Sequence, residues 1–195
     1  QQLQKSEVVL LGPGLREDAF GEELVKQVFN SLRKDQLLII DGGALGILAK
    51  NQFPLPVNQL ILTPHQKEWE RLSGVAIEHQ CEETTTRALS SFPQETILVE
   101  KRPETRIWQA GQTDCYQLGV GGPYQATGGM GDTLAGMIAG FAGQFPQASL
   151  YERVTVATHL HSAIAQELAE DNYVVLPTMI SQHIPAFMKN IQKDT

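Results

Sequence analysis

The chain has 195 residues, 42% of them hydrophobic and 19% charged, which is typical of a globular protein with a core of its own. Its formal net charge of −7 argues against nucleic acid or an anionic membrane as its main partner. Phosphate ligands stay possible, because backbone N–H groups can hold them locally. The two cysteines, Cys81 and Cys115, form no Cys-x-x-Cys motif and are expected as reduced thiols in a reducing compartment.

The beginning of the sequence is unusual for a complete protein. The chain opens with Gln1 rather than methionine, and an apolar run of interior character follows at Val8. The first residues are polar and do not resemble a signal peptide, and no apolar run approaches the ~20 residues of a membrane span. We therefore expect one domain over residues 1–195 that begins partway into its fold.

Strands and helices alternate along the first half of the chain. Short apolar runs that end at glycine, proline or polar residues predict buried strands, and apolar residues spaced by three or four predict helices. Strands are predicted at 7–11, 36–40, 59–62 and 96–99. Helices are predicted after the cap Asp18 with Phe20, Leu24, Val28 and Leu32 on one face, at 44–50, around Trp69 and Leu72 with Pro64 in the first turn, and at 84–91. This alternation predicts an α/β fold with a mostly parallel sheet and helices on both faces.

The second half begins with a predicted hairpin and continues with helices. Residues 106–110 and 115–119 read as two strands around the turn 111–114. After a glycine-rich loop, one helix carries Leu134, Met137, Ile138 and Phe141, a second runs from Leu150 to Leu168, and Pro177 opens a last one.

Polar or glycine-rich loops follow the predicted strands. They are Gly12-Pro-Gly14, Asp41-Gly-Gly43, Thr63-Pro-His65 and Glu100-Lys101. Ligands of open α/β sheets bind beyond the carboxyl ends of the strands. We expect these loops and the glycine-rich loop to converge on a single site.

The glycine-rich loop is the most informative segment. Five glycines between Gly121 and Gly131 precede Asp132, which is predicted to open a helix. Glycines let backbone N–H groups approach a phosphate, and a helix N-terminus favours an anion at the same place. An Asp there can act as a base that takes a proton from a hydroxyl attacking the phosphate. The alternative is that Asp132 only caps the helix.

Three other side chains allow two interpretations each. Lys101 could neutralise a phosphate or be a solvated loop lysine. His65 could contact a ligand or lie on the surface, and Asp41 could hold a cation or cap Gly43. Neither His65 nor the pair His159 and His161 has the spacing of metal ligands.

Together these loops resemble the ADP/ATP-dependent NAD(P)H-hydrate dehydratases, the carbohydrate-kinase-like branch of the ribokinase-like superfamily. The matching segments are Gly12-Pro-Gly-Leu15, Asp41-Gly-Gly-Ala-Leu45, Leu62-Thr-Pro-His65 with Glu68, Lys101 to Thr105, and Ala126-Thr-Gly-Gly-Met-Gly-Asp-Thr-Leu-Ala-Gly136. The resemblance implies a ribokinase-like three-layer sandwich that lacks its N-terminal part here. It also implies a cytoplasmic homo-oligomer, often a tetramer.

The activity implied by the resemblance is a repair reaction. A lyase of this family converts (6S)-NADH or NADPH hydrate to NAD(P)H with ADP or ATP as phosphoryl donor and Mg²⁺ bridging the phosphates; with ADP, AMP and phosphate are released. The resemblance assigns Gly14, His65 and Asp132 to the hydrated dinucleotide, with Asp132 as the catalytic base. To the adenine nucleotide it assigns Lys101, Arg102, Pro103, Glu104, Thr105, Gly128, Gly129 and Gly131.

The sequence departs from the family pattern at two loops and leaves rival functions open. Arg102 stands where the family has a glycine, and Gly121-Gly-Pro-Tyr-Gln125 replaces Gly-Asn-Pro-Gly-Met. One rival is a kinase of the same superfamily acting on a vitamin precursor or a sugar. Another is a non-catalytic nucleotide-binding fragment. The Thr-Pro-His65 and Asp41-Gly-Gly-Ala-Leu segments favour the dehydratase.

Overall fold

The computed structural model describes residues 3–55 and 59–193, which belong to two compact units, Gln1–Gln117 and Leu118–Thr195. The first unit contains every strand named below, and the second contains the three C-terminal helices. Within the described residues, no helix combines the length and the apolar character needed to cross a bilayer. A single domain over residues 1–195 stays a prediction.

The first unit is built on a six-stranded sheet with the strands in chain order. The strands are β1 (Val8–Leu11), β2 (Leu37–Ile40), β3 (Gln59–Leu62), β4 (Ile97–Glu100), β5 (Arg106–Gln109) and β6 (Cys115–Gln117). Neighbours from β1 to β4 are parallel, while β5 is antiparallel to both β4 and β6. The predicted α/β class, the mostly parallel sheet and the hairpin are thereby confirmed.

Four helices connect or flank these strands. They are α1 (Ala19–Ser31), α2 (Gly42–Asn51), α3 (Gln66–Ser73) and α4 (Glu82–Leu89). All four residues of β2 are buried, as expected for a parallel strand with both faces covered. Trp69 of α3 and Trp108 of β5 are the largest fully buried side chains.

The helix α1 begins where the sequence predicts, but its buried face differs. Asp18 is the N-cap, and its carboxylate accepts a hydrogen bond from the N–H of Gly21. Phe20, predicted to face the core, is 75% exposed. The buried residues are Gly21, Val25 and Phe29, one position further along. Val28 and Leu32 of the predicted face are partly buried and pack against the core, so the prediction is wrong at Phe20, and the most buried positions lie one residue further along.

The helix α3 begins two residues later than a proline in its first turn would require. His65 is the N-cap, and Pro64 precedes the helix. The carbonyl of Pro64 accepts a hydrogen bond from the N–H of Lys101 at 2.8 Å. Pro64 therefore still belongs to the sheet edge, which explains why the predicted position of Pro64 is wrong.

The second unit consists of α5 (Met130–Ala142), α6 (Leu150–Leu168) and α7 (Pro177–Ile191). The apolar residues predicted on one face of α5 are all buried. The helix α6 contains the residues from Leu150 to Leu168 that the sequence assigned to a helix, and it begins after Ser149, which forms a capping box with Glu152 in which each side chain binds the other's backbone N–H. Pro177 lies in the first turn of α7, as predicted.

The turn after β1 generates a first prediction. Gly12 has φ +119°, and a Cβ there would lie 1.8 Å from the carbonyl oxygen of Asp41. Gly14 has φ +69° with open space around it, so Gly14→Ala should cost only the backbone strain, about 1 kcal/mol. Gly12→Ala should cost clearly more, because strain and overlap combine. Urea denaturation of both variants checks this; equal losses would contradict it.

Candidate functional site

The register of the parallel strands aligns their carboxyl ends. Leu11 pairs with Ile40, and Ile40 pairs with Leu62, so the last residues of β1, β2 and β3 lie at one level. Gly12, Asp41 and Thr63 follow immediately. Beyond β3 and β4 the pairing continues through a parallel bridge between His65 and Lys101. Four of the predicted loops therefore meet along one edge of the sheet.

Asp41 is at the centre of a buried polar cluster at this edge. Its carboxylate is only 2% exposed, and Oδ1 accepts hydrogen bonds from the Thr63 hydroxyl at 2.7 Å and from the Lys101 ammonium at 2.7 Å. Asp41 is the N-cap residue of α2 by position, but its side chain makes no capping hydrogen bond. The capping alternative is therefore wrong, and the cation that Asp41 holds is the ammonium of Lys101.

Lys101 is not a solvated loop lysine. Its side chain is 21% exposed and paired with Asp41. A phosphate that binds here would share the ammonium with a buried carboxylate. The assignment of Lys101 to the adenine nucleotide stays a prediction.

His65 has a structural role that the sequence analysis did not assign. Its Nδ1 accepts hydrogen bonds from the N–H groups of Lys67 and Glu68 at 3.1 and 3.2 Å, and the Glu68 carboxylate accepts from the N–H of His65 at 2.8 Å. The His65 side chain is 55% exposed. The Glu68 carboxylate also lies 3.6 Å from Nε2, so both ring nitrogens are close to groups of the capping box.

The loop at 101–105, between β4 and β5, is fixed by a buried carboxylate that the sequence analysis left without a role. Glu100 is fully buried at the end of β4. Its carboxylate lies 3.3 Å from the Arg102 guanidinium and accepts a hydrogen bond from the Trp108 indole N–H at 3.3 Å. Arg102 therefore turns toward the sheet. A charged residue at the end of an apolar strand was the available sequence signal.

Two further hydrogen bonds hold this loop. The Thr105 hydroxyl donates to the carbonyl of Arg102 at 3.2 Å, and the Gln117 amide of β6 donates to the Glu104 carboxylate at 2.9 Å. The loop that the sequence assigns to the adenine nucleotide is thus held in one conformation against the antiparallel strands β4, β5 and β6.

In the second unit, the glycine-rich loop leads directly into α5. Gly129 is the N-cap of α5 in the left-handed conformation, with φ +84°, and Gly128 and Gly129 are exposed. The N–H groups of the first helical turn lack carbonyls within the helix and can bind an anion. The loop is attached to the segment before α7, because Val175 accepts from the Thr127 hydroxyl and donates its N–H to Tyr124, both at 3.1 Å.

Asp132 is the third residue of α5 and is exposed. The helix begins at Met130, so the prediction that Asp132 opens it is wrong by two residues. The capping alternative is also wrong, because Gly129 occupies the N-cap position. A carboxylate in the first turn is favoured by the helix dipole. Asp132 thus combines exposure with a place in the first turn of the helix, where the N–H of Met130 donates to the Thr127 carbonyl at 3.3 Å.

His161 on α6 is a buried histidine to which the sequence analysis gave no function. It is 4% exposed, the Gln125 amide lies 3.5 Å from its Nδ1, and Nε2 has no hydrogen-bond partner among the described residues. Burial lowers the pKa of the imidazole to about 4, and a polar contact with the backbone of Met130 offsets part of the shift. The ring is therefore neutral at physiological pH.

The described parts of the chain contain no group of three or more His, Cys, Asp or Glu side chains arranged to hold a metal ion. Mg²⁺ does not require one, because it commonly binds through substrate phosphates, water and one or two carboxylates. The donor set is compatible with Mg²⁺ that arrives with a nucleotide.

The Glu100–Arg102 pair generates a second prediction. Arg102→Ala leaves the carboxylate buried without its cation and should cost about 2 kcal/mol of unfolding free energy. Adding Glu100→Gln should recover much of the loss. Arg87→Ala is the control, since both members of the Arg87–Glu83 pair are more than two-thirds exposed and little change is expected. Urea denaturation measures all three; equal losses for the two arginines would contradict the prediction.

The burial of His161 generates a third prediction. Its pKa is lowered from 6.5 to about 4 in the folded protein, so the unfolded chain binds the proton more tightly. The stabilisation is fully present above pH 6.5 and is lost as the pH falls toward 4. Between about pH 7.5 and about pH 5 this histidine should account for a loss of roughly 2 kcal/mol.

Denaturation at both pH values in His161→Gln isolates this contribution. The variant should lose less stability on acidification than the wild type. His183→Gln removes an exposed histidine of the same unit and should keep the wild-type pH dependence. An unchanged pH dependence in His161→Gln would refute the assignment.

Comparisons with known proteins place the chain in a family. Residues 1–186 match the carbohydrate-kinase family profile, described as NAD(P)H-hydrate dehydratase. The chain is 72% identical over 191 residues to the ADP-dependent (S)-NAD(P)H-hydrate dehydratase of Streptococcus pneumoniae, covering 98% of this chain and 66% of the relative. It thus spans about two thirds of the length of the relatives that it matches.

Solved structures agree with this result. A ribokinase-like superfamily protein from Enterococcus faecalis V583 superimposes with a TM-score of 0.90 at 41% identity, covering 96% of this chain and 64% of that one. The ADP/ATP-dependent NAD(P)H-hydrate dehydratase of Bacillus subtilis, co-crystallised with ATP/Mg²⁺, gives 0.80 at 28% identity, covering 94% and 64%. The predicted resemblance is confirmed: the chain belongs to the NAD(P)H-hydrate dehydratase family and has its ribokinase-like α/β fold.

Proposed function

We propose that the protein containing this chain catalyses the ADP-dependent dehydration of (6S)-NADH or NADPH hydrate. The products are NAD(P)H, AMP and phosphate. One observation carries the proposal: the exposed carboxylate of Asp132 lies in the first turn of α5, directly after the left-handed N-cap Gly129. A base beside an anion-binding helix N-terminus fits the transfer of a phosphoryl group to a hydroxyl. The names of the relatives support the same reaction.

On the nucleotide side, we assign two groups of residues. Gly128, Gly129 and Gly131 would present N–H groups to the phosphates, because no lysine or arginine lies between Gly119 and Gly136. The loop from Lys101 to Thr105 would also contact the adenine nucleotide. Its fixed conformation on the hairpin supports this role, since a preorganised loop loses less entropy on binding.

On the substrate side, Gly14, His65 and Asp132 would contact the hydrated dinucleotide. Gly14 is exposed, and a Cβ added there meets nothing within 4 Å, so the turn leaves room for a ligand. The His65 side chain is 55% exposed, and a ligand that contacts its Nε2 would share it with the Glu68 carboxylate at 3.6 Å. Both residues lie on loops at the carboxyl edge of the sheet.

The chemistry follows from the substrate and one base. Asp132 accepts the proton of the hydroxyl as its oxygen attacks the terminal phosphorus of ADP, and the bond to AMP breaks. The new phosphate ester is on a carbon next to the ring nitrogen. The lone pair of that nitrogen expels phosphate, and loss of a proton from the adjacent ring carbon restores the dihydropyridine. No stable phosphorylated product remains.

Mg²⁺ would neutralise the phosphates of the nucleotide during transfer. We assign no protein ligand to it, in keeping with a metal carried mainly by phosphates and water. We further propose that the protein acts in the cytoplasm as a homo-oligomer, with a tetramer as the expected state; mass determination in solution tests that state.

The deciding experiment uses the complete natural polypeptide that contains this sequence, supplied with ADP, Mg²⁺ and hydrated NADH. NADH absorbance and free phosphate should rise together in a one-to-one ratio. Rapid esterification of a thiazole or pyrimidine alcohol or of a sugar, without NADH formation, would instead identify a kinase. Nucleotide binding without either product would identify a non-catalytic protein.

A fourth prediction tests the base. Asp132→Asn keeps the size of the side chain but cannot accept the proton, so turnover should fall by roughly 10²–10⁴. The thermal midpoint should change little, since Asp132 is exposed and does not cap the helix. Asp114→Asn, an exposed carboxylate in the β5–β6 turn, is the control with normal turnover. Near-normal turnover in Asp132→Asn would disprove the assignment.

A fifth prediction separates the two roles of His65. Asn is a good N-cap residue, so His65→Asn should keep α3 stable while removing the ring. The KM for the hydrated dinucleotide should rise and that for ADP should stay nearly constant. His65→Ala should show the same KM change plus a stability loss of about 1 kcal/mol. If His65→Asn keeps the wild-type KM for both substrates, His65 is only a cap.

A further inference from the structure

The side chain of Lys101 does not stay with its own loop. Lys101 follows β4, while Asp41 follows β2, and β3 lies between these strands. Neighbouring strands are about 4.8 Å apart, so the two backbones are separated by roughly 10 Å. The ammonium nevertheless reaches Asp41 Oδ1 at 2.7 Å. The lysine chain therefore extends across the carboxyl end of β3, past Thr63.

The acceptor for this ammonium is held firmly. The N–H of Asp41 donates to Leu11 at 3.0 Å, and the N–H of Thr63 donates to Ile40 at 3.2 Å. The Thr63 hydroxyl has one proton and lies 2.7 Å from Asp41 Oδ1 but 3.4 Å from the Ile40 carbonyl, so the proton points to Asp41. The carboxylate is buried and cannot follow the lysine elsewhere.

The result is a displaced positive charge. The ammonium lies beside Asp41, whose backbone carbonyl is so close to Gly12 that a Cβ added at Gly12 would lie 1.8 Å from its oxygen. If Lys101 acted only as a flexible phosphate ligand of its loop, the buried carboxylate would have no function. A buried charge is costly unless it is paired, and this pair sets the place of the lysine's charge.

We propose that Asp41 is a positioning residue that fixes the ammonium of Lys101 between the loop at 101–105 and the Gly12–Gly14 turn. In that position the ammonium acts on the phosphoryl group being transferred. This rests on the proposed phosphoryl transfer. Asp41 acts through Lys101 and does not contact the nucleotide. The ligand it serves is the terminal phosphate of a nucleoside diphosphate.

The proposal is tested by a double-mutant cycle with Asp41→Asn and Lys101→Met, read as kcat/KM for ADP at a temperature well below unfolding. A positioned, charged hydrogen bond is worth about 10- to 100-fold, so each single variant should lose that much. Because Asp41 acts through Lys101, Asp41→Asn should cause no further loss when Lys101 is already Met. If the kcat/KM of the double variant falls by the product of the two single losses, the proposal is overturned, because Asp41 then acts independently of Lys101.

A second pair of variants separates position from charge and guards against misfolding. Asp41→Glu keeps the negative charge but moves it by one methylene, so it should also lower kcat/KM; wild-type kcat/KM in this variant would overturn the proposal. Thr63→Val removes only the neighbouring hydroxyl. It should lower the thermal midpoint, and its kcat/KM should fall less than that of Asp41→Asn. Hydrogen-exchange protection of β2 and β3 confirms that each variant is folded.

The outcomes distinguish this proposal from the proposed function. If the unmodified protein forms no NADH from the hydrate and ADP, the proposed function fails on that result alone, whatever the double-mutant cycle shows. If it does form NADH but Lys101→Met is fully active, the lysine has no role in transfer and the positioning proposal is overturned. Only an active protein with an impaired Lys101→Met variant and a non-multiplying cycle supports it.

Discussion

The register of the parallel strands is the constraint on which the candidate site depends. Pairing of Leu11 with Ile40 and of Ile40 with Leu62 places the following residues side by side. A slip by one residue would turn Asp41 or Thr63 toward the opposite face of the sheet. All four residues of β2 are buried, β1 alternates between half-buried and buried residues, and the apolar runs of all three strands end where the polar edge begins. The position of the polar edge is therefore a consequence of the packing of the core.

Two buried carboxylates then organise the cations of the site in opposite directions. Asp41 pairs with the ammonium of Lys101 across the sheet edge, while Glu100 at the end of β4 pairs with the guanidinium of Arg102. Consecutive basic residues thus diverge, one toward the Gly12 turn and one toward the sheet. The loop that carries them is short and is tied at both ends, so its conformation follows from these ion pairs.

The sequence predicted the elements and the loops but not the contacts among them. Strand bounds were close because apolar runs end sharply at Gly12, Asp41 and Thr63. In α1, Val28 and Leu32 pack against the core, but Phe20 of the same predicted face is exposed and its neighbour Gly21 is buried. The capping box of His65 could have been predicted from Glu68 three residues later. It was missed because the usual N-cap residues are Ser, Thr, Asp and Asn, and not His. The Asp41–Lys101 pair spans 60 residues and has no local signal.

The location of Asp132 shows how much depends on one conformational detail. The sequence predicted that Asp132 opens the helix and acts as a base, with helix capping as the alternative. Gly129 instead adopts a left-handed conformation and takes the N-cap position, and the helix begins at Met130. Glycine supplies no side-chain oxygen, so no N-cap side chain binds the N–H groups of the first turn, while the N–H of Met130 donates to the Thr127 carbonyl at 3.3 Å.

The chain has a net charge of −7, and Lys101 and Arg102 at the candidate site are each paired with a buried carboxylate. A lysine that is already paired with a buried carboxylate adds little long-range attraction for phosphate, and the glycine-rich loop adds none from side chains. The remaining donors are backbone N–H groups, which act only at hydrogen-bond distance. Binding at such donors depends on how well the ligand fits the loop. Under the proposed function, this fit is the source of selectivity for a nucleotide over free phosphate.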